Sequence, residues 1–333
     1  MTALQTTSGL PARGGTGGAA STGAVPPATA RPDGAARRRR RWRTQLTAWA
    51  FIAPVVIYLV VFYAYPLYRN IDLSLRAYTL RSFIDGTAPF VGLQNYLDVI
   101  QSSTFTPALI NTAIFTGVSI LFQFTIGLAL AVFFFRNFRL AATLRALFLV
   151  PWLLPLLVSA SVWAWMLNSE SGVVNAVIEG IGLHQINWLT SPQWALVSVV
   201  IANIWIGIPF NLVILYSGLQ GIPSDLYEAA SLDGANGWQT FWRVTFPLLR
   251  PVSAITILLG LVYTLKVFDI IWIMTQGGPV NASTTFAIWS YRLGFGGESP
   301  QLSPAAAVGN LLIVVAFIFG LIYIRVQQRV VRS

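Results

Sequence analysis

Six long apolar runs restrict what this chain can fold into more than any other feature. They cover about 48–65, 108–135, 144–167, 194–219, 252–274 and 304–326. Each is near the ~20 residues a helix needs to cross a hydrocarbon core. Lipid offers the backbone no hydrogen bonds, so every span must satisfy its own, and uninterrupted runs of this length point to helices rather than barrel strands. The expected fold is an all-α membrane protein with six transmembrane helices. Pro54, Pro155 and Pro209 fall inside spans. Each removes a helical donor, which predicts local kinks there.

Charge supports this reading and orients it. Only 10% of the 333 residues are charged, against roughly 25% in a soluble domain. A net charge of +10 would suggest nucleic acid in a soluble protein. Here Arg37 to Arg41 and Arg43 stand just before the first apolar run, where they more simply hold the N-terminus in the cytoplasm, so no nucleic-acid partner is expected. With that orientation sixteen Arg fall in cytoplasmic segments and four (Arg69, Arg76, Arg81, Arg292) in outer ones. This asymmetry places both termini in the cytoplasm. Residues 1–36 are rich in Gly, Ala, Thr and Pro and hold too little bulky apolar surface to order themselves. We therefore expect a disordered basic cytoplasmic tail over 1–44 and a transmembrane domain over 45–333. The first apolar run is long and no small-residue cleavage site follows it, so it is expected to be a retained span.

The chain has no Cys, which excludes disulfides, thiolate metal sites and Cys nucleophiles. His184 is the only His and, without a carboxylate cluster, makes no metal site. No Ser/His pair or carboxylate pair for an intramembrane enzyme presents itself within the spans.

The fourth and fifth spans flank about thirty cytoplasmic residues that include GIPSDLYEAASLDGANGWQTFWRVTFPLLR. Ser224 is expected to cap a short helix over 225–232, Asp233 and Gly234 to form a turn, and Asn236 with Gln239 to open a second helix as a capping box, ending before Pro247. Two short helices joined at a sharp turn make a knob suited to a groove on another protein. From spacing alone, an ordinary amphipathic connecting loop is the simpler reading.

The run EAASLDGANGWQTFWRVTFPLLRP resembles the EAA loop of ABC-importer permeases, with Glu228, Ala229, Ala230, Asp233, Gly234, Ala235, Phe241, Pro247 and Pro251 at matching positions. The likeness continues in FVGLQNY (90–96), PWLLP (151–155), NIWIGIPFN (203–211) and KVFDIIWIMTQGGP (266–279). Together these motifs are similar to the sugar-type permeases related to the maltose and glycerol-3-phosphate importers, over about 48–326. The resemblance implies that the loop is an EAA-type coupling helix between spans 4 and 5, contacting an ATPase through Tyr227, Glu228, Ala229, Ala230, Asp233, Gly234, Phe241 and Pro247. The chain carries no G-x-x-x-x-G-K-[ST] loop, so it is expected to be no enzyme and to bind no cofactor, with ATP and Mg on partner subunits. Implied partners are a second homologous permease, two copies of a cytoplasmic ATPase subunit and an extracytoplasmic solute-binding protein, all at a bacterial inner membrane. A stand-alone secondary transporter or channel for a polar solute is the alternative; it would favour discontinuous helices in paired repeats.

For the solute, positions that contact sugar in the maltose permease align with Trp152, Asn203, Ile206, Gly207, Gly260, Thr264 and Val267. Asn203 offers a donor and an acceptor to sugar hydroxyls. Trp152 is open to two readings, a stacking face for a pyranose or an interfacial anchor. Gly260, Thr264 and Val267 offer less hydrogen bonding than the maltose protein's residues, which argues against maltose itself. Lys266, the only Lys, and Asp269 stand three apart in the fifth span. On one helical face they are expected to neutralise each other as an ion pair, with solute contact or a link to the partner permease as alternatives.

Overall fold

The computed structural model describes Gln45 and residues 49–136, 138–297 and 299–332. The expected tail, 1–44, lies outside the described residues. The chain divides into two compact units, 1–61 and 62–333; the packing, network and cavity below all belong to the second.

Apart from one isolated bridge between Arg76 and Phe90, the regular structure among the described residues is helical. Five segments are long and apolar enough to cross a bilayer: α1 (Trp49–Ser74), α4 (Phe105–Phe135), α8 (Ala195–Gln220), α10 (Gly237–Leu265) and the apolar part of α13 (Leu302–Arg332). A sixth candidate is the pair α5 (Ala141–Leu153) and α6 (Leu156–Met166), bent by 93° at its break. Shorter helices fill the connections: α2 (Leu80–Asp85), α3 (Gln94–Gln101), α7 (Val173–Gly180), α9 (Ser224–Leu232), α11 (Asp269–Met274) and α12 (Phe286–Phe295).

Proline shapes these spans in three ways. Pro54 and Pro209 sit within continuous helices. At Pro155 the kink expected from sequence is a corner instead: Leu154 and Pro155 are both extended, at ψ 143 and 134, because a proline ring excludes the α conformation from the residue before it. Elsewhere a wider turn absorbs the ring. π-turns over Val60–Ala64 and Phe241–Thr245 come just before Pro66 and Pro247, each in the first two positions of the α-helical stretch that follows. There the missing N–H and the clash four residues back both fall in a turn already bonded i to i+5, as Phe246 N–H to Phe241 O shows. The second helix of the loop between the fourth and fifth spans, expected to stop before Pro247, therefore runs straight into the fifth span.

The core is the pairing of α4 with α8. Their backbones meet closely: a Cβ at Gly127 would stand 2.6 Å from Asn211 Cβ, and one at Gly207 would stand 2.3 Å from the Gln123 amide. Around this crossing Phe115, Val199, Ala202 and Ile206 bury themselves with Ile270 and Ile271 of α11. Toward the other side, Asn310 of α13 ties three helices together. It accepts from Asn70 Nδ2 at 2.6 Å and donates to Ser74 Oγ and Tyr96 OH, both at 3.0 Å. Asn95 Nδ2 donates to the Ser74 and Arg76 carbonyls at 2.9 Å, which explains the Asn-Tyr of the FVGLQNY run as a fastening for the end of α1.

Gly127→Leu should overpack the α4–α8 crossing and destabilise the chain by about 1–3 kcal/mol. Thermal unfolding of the detergent-solubilised variant should show a lowered midpoint, whereas an unchanged midpoint would mean that the crossing tolerates side-chain bulk.

Candidate functional site

A cavity of about 610 Å³ opens beside the α4–α8 crossing. All seven positions aligned with sugar contacts line it: Trp152 from α5, Asn203, Ile206 and Gly207 from α8, and Gly260, Thr264 and Val267 from α10 and the break after it. The wall also contains both interruptions in the spans. One is Leu154–Pro155. The other is 266–268, where α10 ends and α11 begins at Asp269. Irregular backbone at membrane depth is tolerated where it lines a cavity. After the two breaks, α6 and α11 pack on each other.

The side chains of the site are held by neighbours. Gln123 donates from Nε2 to the Asn203 carbonyl at 2.8 Å, and Asn211 Nδ2 donates to the Gly207 carbonyl at 2.9 Å. Gly207 is glycine because the Gln123 amide occupies the place of its Cβ. Asn203 is buried, and its Nδ2 finds no partner among the described residues. One wall is aromatic: Trp152 lies 6.3 Å from Phe210, which lies 5.7 Å from Tyr263. Trp152 is 53% exposed, leaving a ring face open.

The expected ion pair does not form. The fifth span, read as one helix through 274, is interrupted at 266–268, so the i, i+3 geometry is lost. Among the described residues the ion pairs are Arg69–Asp72 and Arg76–Asp72. Lys266 instead holds its Nζ 4.8 Å from the Tyr263 ring centroid. Sequence reasoning also missed Gln123, Phe210 and Tyr263 as lining residues. Gln123 carried a usable signal, being an amide inside an otherwise apolar span.

The residues of the loop after α8 form a separate knob. α9 begins at Ser224 with Pro223 as its cap residue, so Ser224 lies inside the helix and does not cap it. Its C-terminus is a full Schellman closure: Ala235 N–H donates to Ala230 O at 3.0 Å and Gly234 N–H to Ser231 O at 3.1 Å, with Gly234 at φ +73. The Asn236–Gln239 capping box forms as expected, with bonds of 2.9 and 3.0 Å. Tyr227 roots the knob, its ring 5.9 Å from Phe135 and its hydroxyl 3.4 Å from Thr245 Oγ1. Phe241 packs among Trp238, Trp242 and Phe246, and Pro247 follows the π-turn. Glu228, Ala229, Asp233 and Gly234 are exposed, and Ala230 is half-buried.

An all-helical membrane protein whose broken spans enclose a polar-edged cavity has the build of a transport subunit. Comparison with known proteins makes this specific. Residues 123–332 match the family described as binding-protein-dependent transport system inner membrane component. The trehalose/maltose transport system permease protein MalF of Thermococcus litoralis is 33% identical over 291 residues, covering 86% of this chain and 96% of that one. The sulfoquinovosyl glycerol transport system permease protein SmoG of Agrobacterium fabrum is 31% identical, covering 87% and 91%. A crystal structure of a bacterial alginate ABC transporter in complex with an alginate pentasaccharide-bound periplasmic protein contains a chain that matches with a TM-score of 0.75 at 25% identity, covering 88% of this chain and 98% of that one. The chain belongs to the family of inner-membrane components of binding-protein-dependent transport systems. It is a multi-pass permease subunit of a binding-protein-dependent ABC importer and is not itself an ATPase.

Gly260 tests the cavity directly, since a Cβ there meets nothing within 4 Å. Gly260→Trp should fold and assemble but fill the cavity, reducing uptake by at least about tenfold. Uptake at the wild-type rate in vesicles would remove the cavity from the transport path.

Proposed function

We propose that the chain forms half of the translocation pathway of an importer for a sugar or oligosaccharide, with the 610 Å³ cavity as its solute site. The observation that carries this is the convergence of Trp152, Asn203, Ile206, Gly207, Gly260, Thr264 and Val267 from three spans onto one cavity. Its chemistry suits a carbohydrate. Trp152, half-exposed, offers aromatic surface for a sugar, and Asn203 in the lining brings an amide able to bond hydroxyls once its buried Nδ2 is uncovered. The sugar-handling names of the relatives support the same solute class. The second wall of the pathway comes from a homologous permease.

In this reading α9 is the coupling helix. Tyr227 and Phe241 fix it to its own chain, while Glu228, Ala229, Ala230, Asp233 and Gly234 meet a groove on one of two cytoplasmic ATPase subunits, which hold the ATP and Mg. Pro247 and its π-turn join the knob to α10. The arginine asymmetry supports both termini in the cytoplasm, with 45–333 the permease domain; the expected tail, 1–44, lies outside the described residues. ATP-driven closure of the ATPases displaces the knobs and switches the permease pair between inward- and outward-open states.

The test is substitution at the knob. Gly234→Val puts a β-branched residue at φ +73, a conformation Asn accepts and Val does not. Gly234→Val and Glu228→Lys should insert normally yet lose ATPase co-purification and uptake, while Gly234→Asn keeps both. Normal uptake by Gly234→Val would sink the coupling assignment.

A further inference from the structure

We propose that Lys266 makes this cavity selective for an anionic saccharide, one carrying a carboxylate, sulfonate or phosphate beside its hydroxyls. The inference rests on the reading of the cavity as the solute site and adds the charge of the solute.

Four observations carry it. Lys266 lines the cavity, is exposed, and is the only Lys of the chain. No carboxylate among the described residues pairs with it, Asp269 included. Its Nζ rests on the Tyr263 ring at 4.8 Å, a contact that fixes the ammonium at the wall through the ring's quadrupole and leaves its three N–H donors free for oxygen acceptors. Asn203, also in the lining, has a buried Nδ2 without a partner among the described residues, and Gln123 uses one of its two amide N–H groups on the Asn203 carbonyl. An exposed, unpaired cation in the cavity lining suits a negatively charged ligand better than a neutral one. Asp269, the other charged lining residue, is the first residue of α11. Its carboxylate makes no ion pair with the ammonium, which stays open to an anion.

Because Lys266 is the sole Lys, its amine can be followed alone. The complete importer in nanodiscs, at mildly alkaline pH, is treated with an acetylating succinimidyl ester, and acetylation at Lys266 is timed by mass spectrometry. Protectants are galacturonate, glucose 6-phosphate and 6-deoxy-6-sulfoglucose, with galactose and glucose as neutral counterparts. At least one anionic sugar should slow Lys266 acetylation by about tenfold, the scale of one charge-assisted hydrogen bond, at concentrations where its neutral counterpart has no effect. Equal protection by acid and neutral sugars, or protection by none, would overturn the proposal. So would Lys266 that is labelled readily in the isolated chain but is inert in the assembled importer, which would assign it to a carboxylate of the second permease. The Gly260→Trp result stands apart. Lost uptake in that variant combined with equal protection by acid and neutral sugars would keep the transport cavity and reject only its charge preference.

Discussion

The close crossing of α4 and α8 is the contact on which the rest of this structure depends. Two apolar helices in lipid gain little from burying more apolar surface, so their association relies on close packing at small residues and on hydrogen bonds between them. This pair uses both at once. Gly127 admits Asn211 and Gly207 admits Gln123, and the amide so admitted at Gly207 bonds across to the Asn203 carbonyl. The same contact that joins the helices therefore sets the position of Asn203, which lies in the cavity wall. Packing and site are one arrangement, and a side chain added at Gly207 would disturb both.

The second organising constraint is the backbone's need for hydrogen bonds where no water can supply them. Among the described residues the helices of the spans are broken at Leu154–Pro155 and at 266–268, and both breaks contribute to the cavity wall. At Leu154–Pro155 the residues force the departure. At 266–268 the freed groups are met locally, with Val267 N–H bonding Thr264 O at 3.1 Å and Trp272 N–H bonding Phe268 O at 2.9 Å. Beyond α11, the turn through Gln276 and Asn281 is held by backbone bonds, among them Gly278 N–H to Thr275 O at 2.9 Å and Ser283 N–H to Gly277 O at 3.2 Å, and by side chains as well. Thr284 Oγ1 donates to Gly277 O, Ser283 Oγ donates to Gly278 O, and Asn111 Nδ2 reaches across from α4 to the carbonyls of Asn281 and Thr284. The TQGGP run is thus a built turn anchored to the core helix pair.

How much of this was legible in the sequence follows from how local each cause is. The spans declare themselves through long apolar runs, and the Asn236–Gln239 box through a four-residue pattern, so both were readable. The corner at Pro155 was readable as a disturbance but not as a 93° bend, because a proline fixes the residue before it and leaves the direction of the next helix to packing. Nothing in Lys-Val-Phe-Asp marks a helix end, since neither Pro nor Gly is present, and the expected Lys266–Asp269 pair failed for that reason: helical spacing was assumed across a break that packing of α6 against α11 accompanies. Pro247 misled in the opposite sense, because a π-turn is a tertiary-scale accommodation with no composition of its own. The seven cavity residues came from family resemblance; residue chemistry alone had singled out Trp152 and Asn203 among them.

The geometry also bears on how the two functional regions communicate in the proposed mechanism. α10 begins at the Asn236 cap beside the coupling knob and ends at Leu265 against the cavity, a 29-residue helix about 43 Å long at 1.5 Å per residue. Its only departure from α geometry is the π-turn at Phe241–Thr245, braced by Trp238, Trp242 and Phe246. Along this length it packs on α4, α8 and α13. A displacement of the knob therefore reaches Gly260 and Thr264 along one continuous helix, with Lys266 just past its end. The break in the helix lies beyond it, at 266–268. Movement of α10 relative to α11 would change the spacing of Lys266 and Asp269, so the same break that leaves Lys266 unpaired also places it where a coupled motion would alter its hold on a solute.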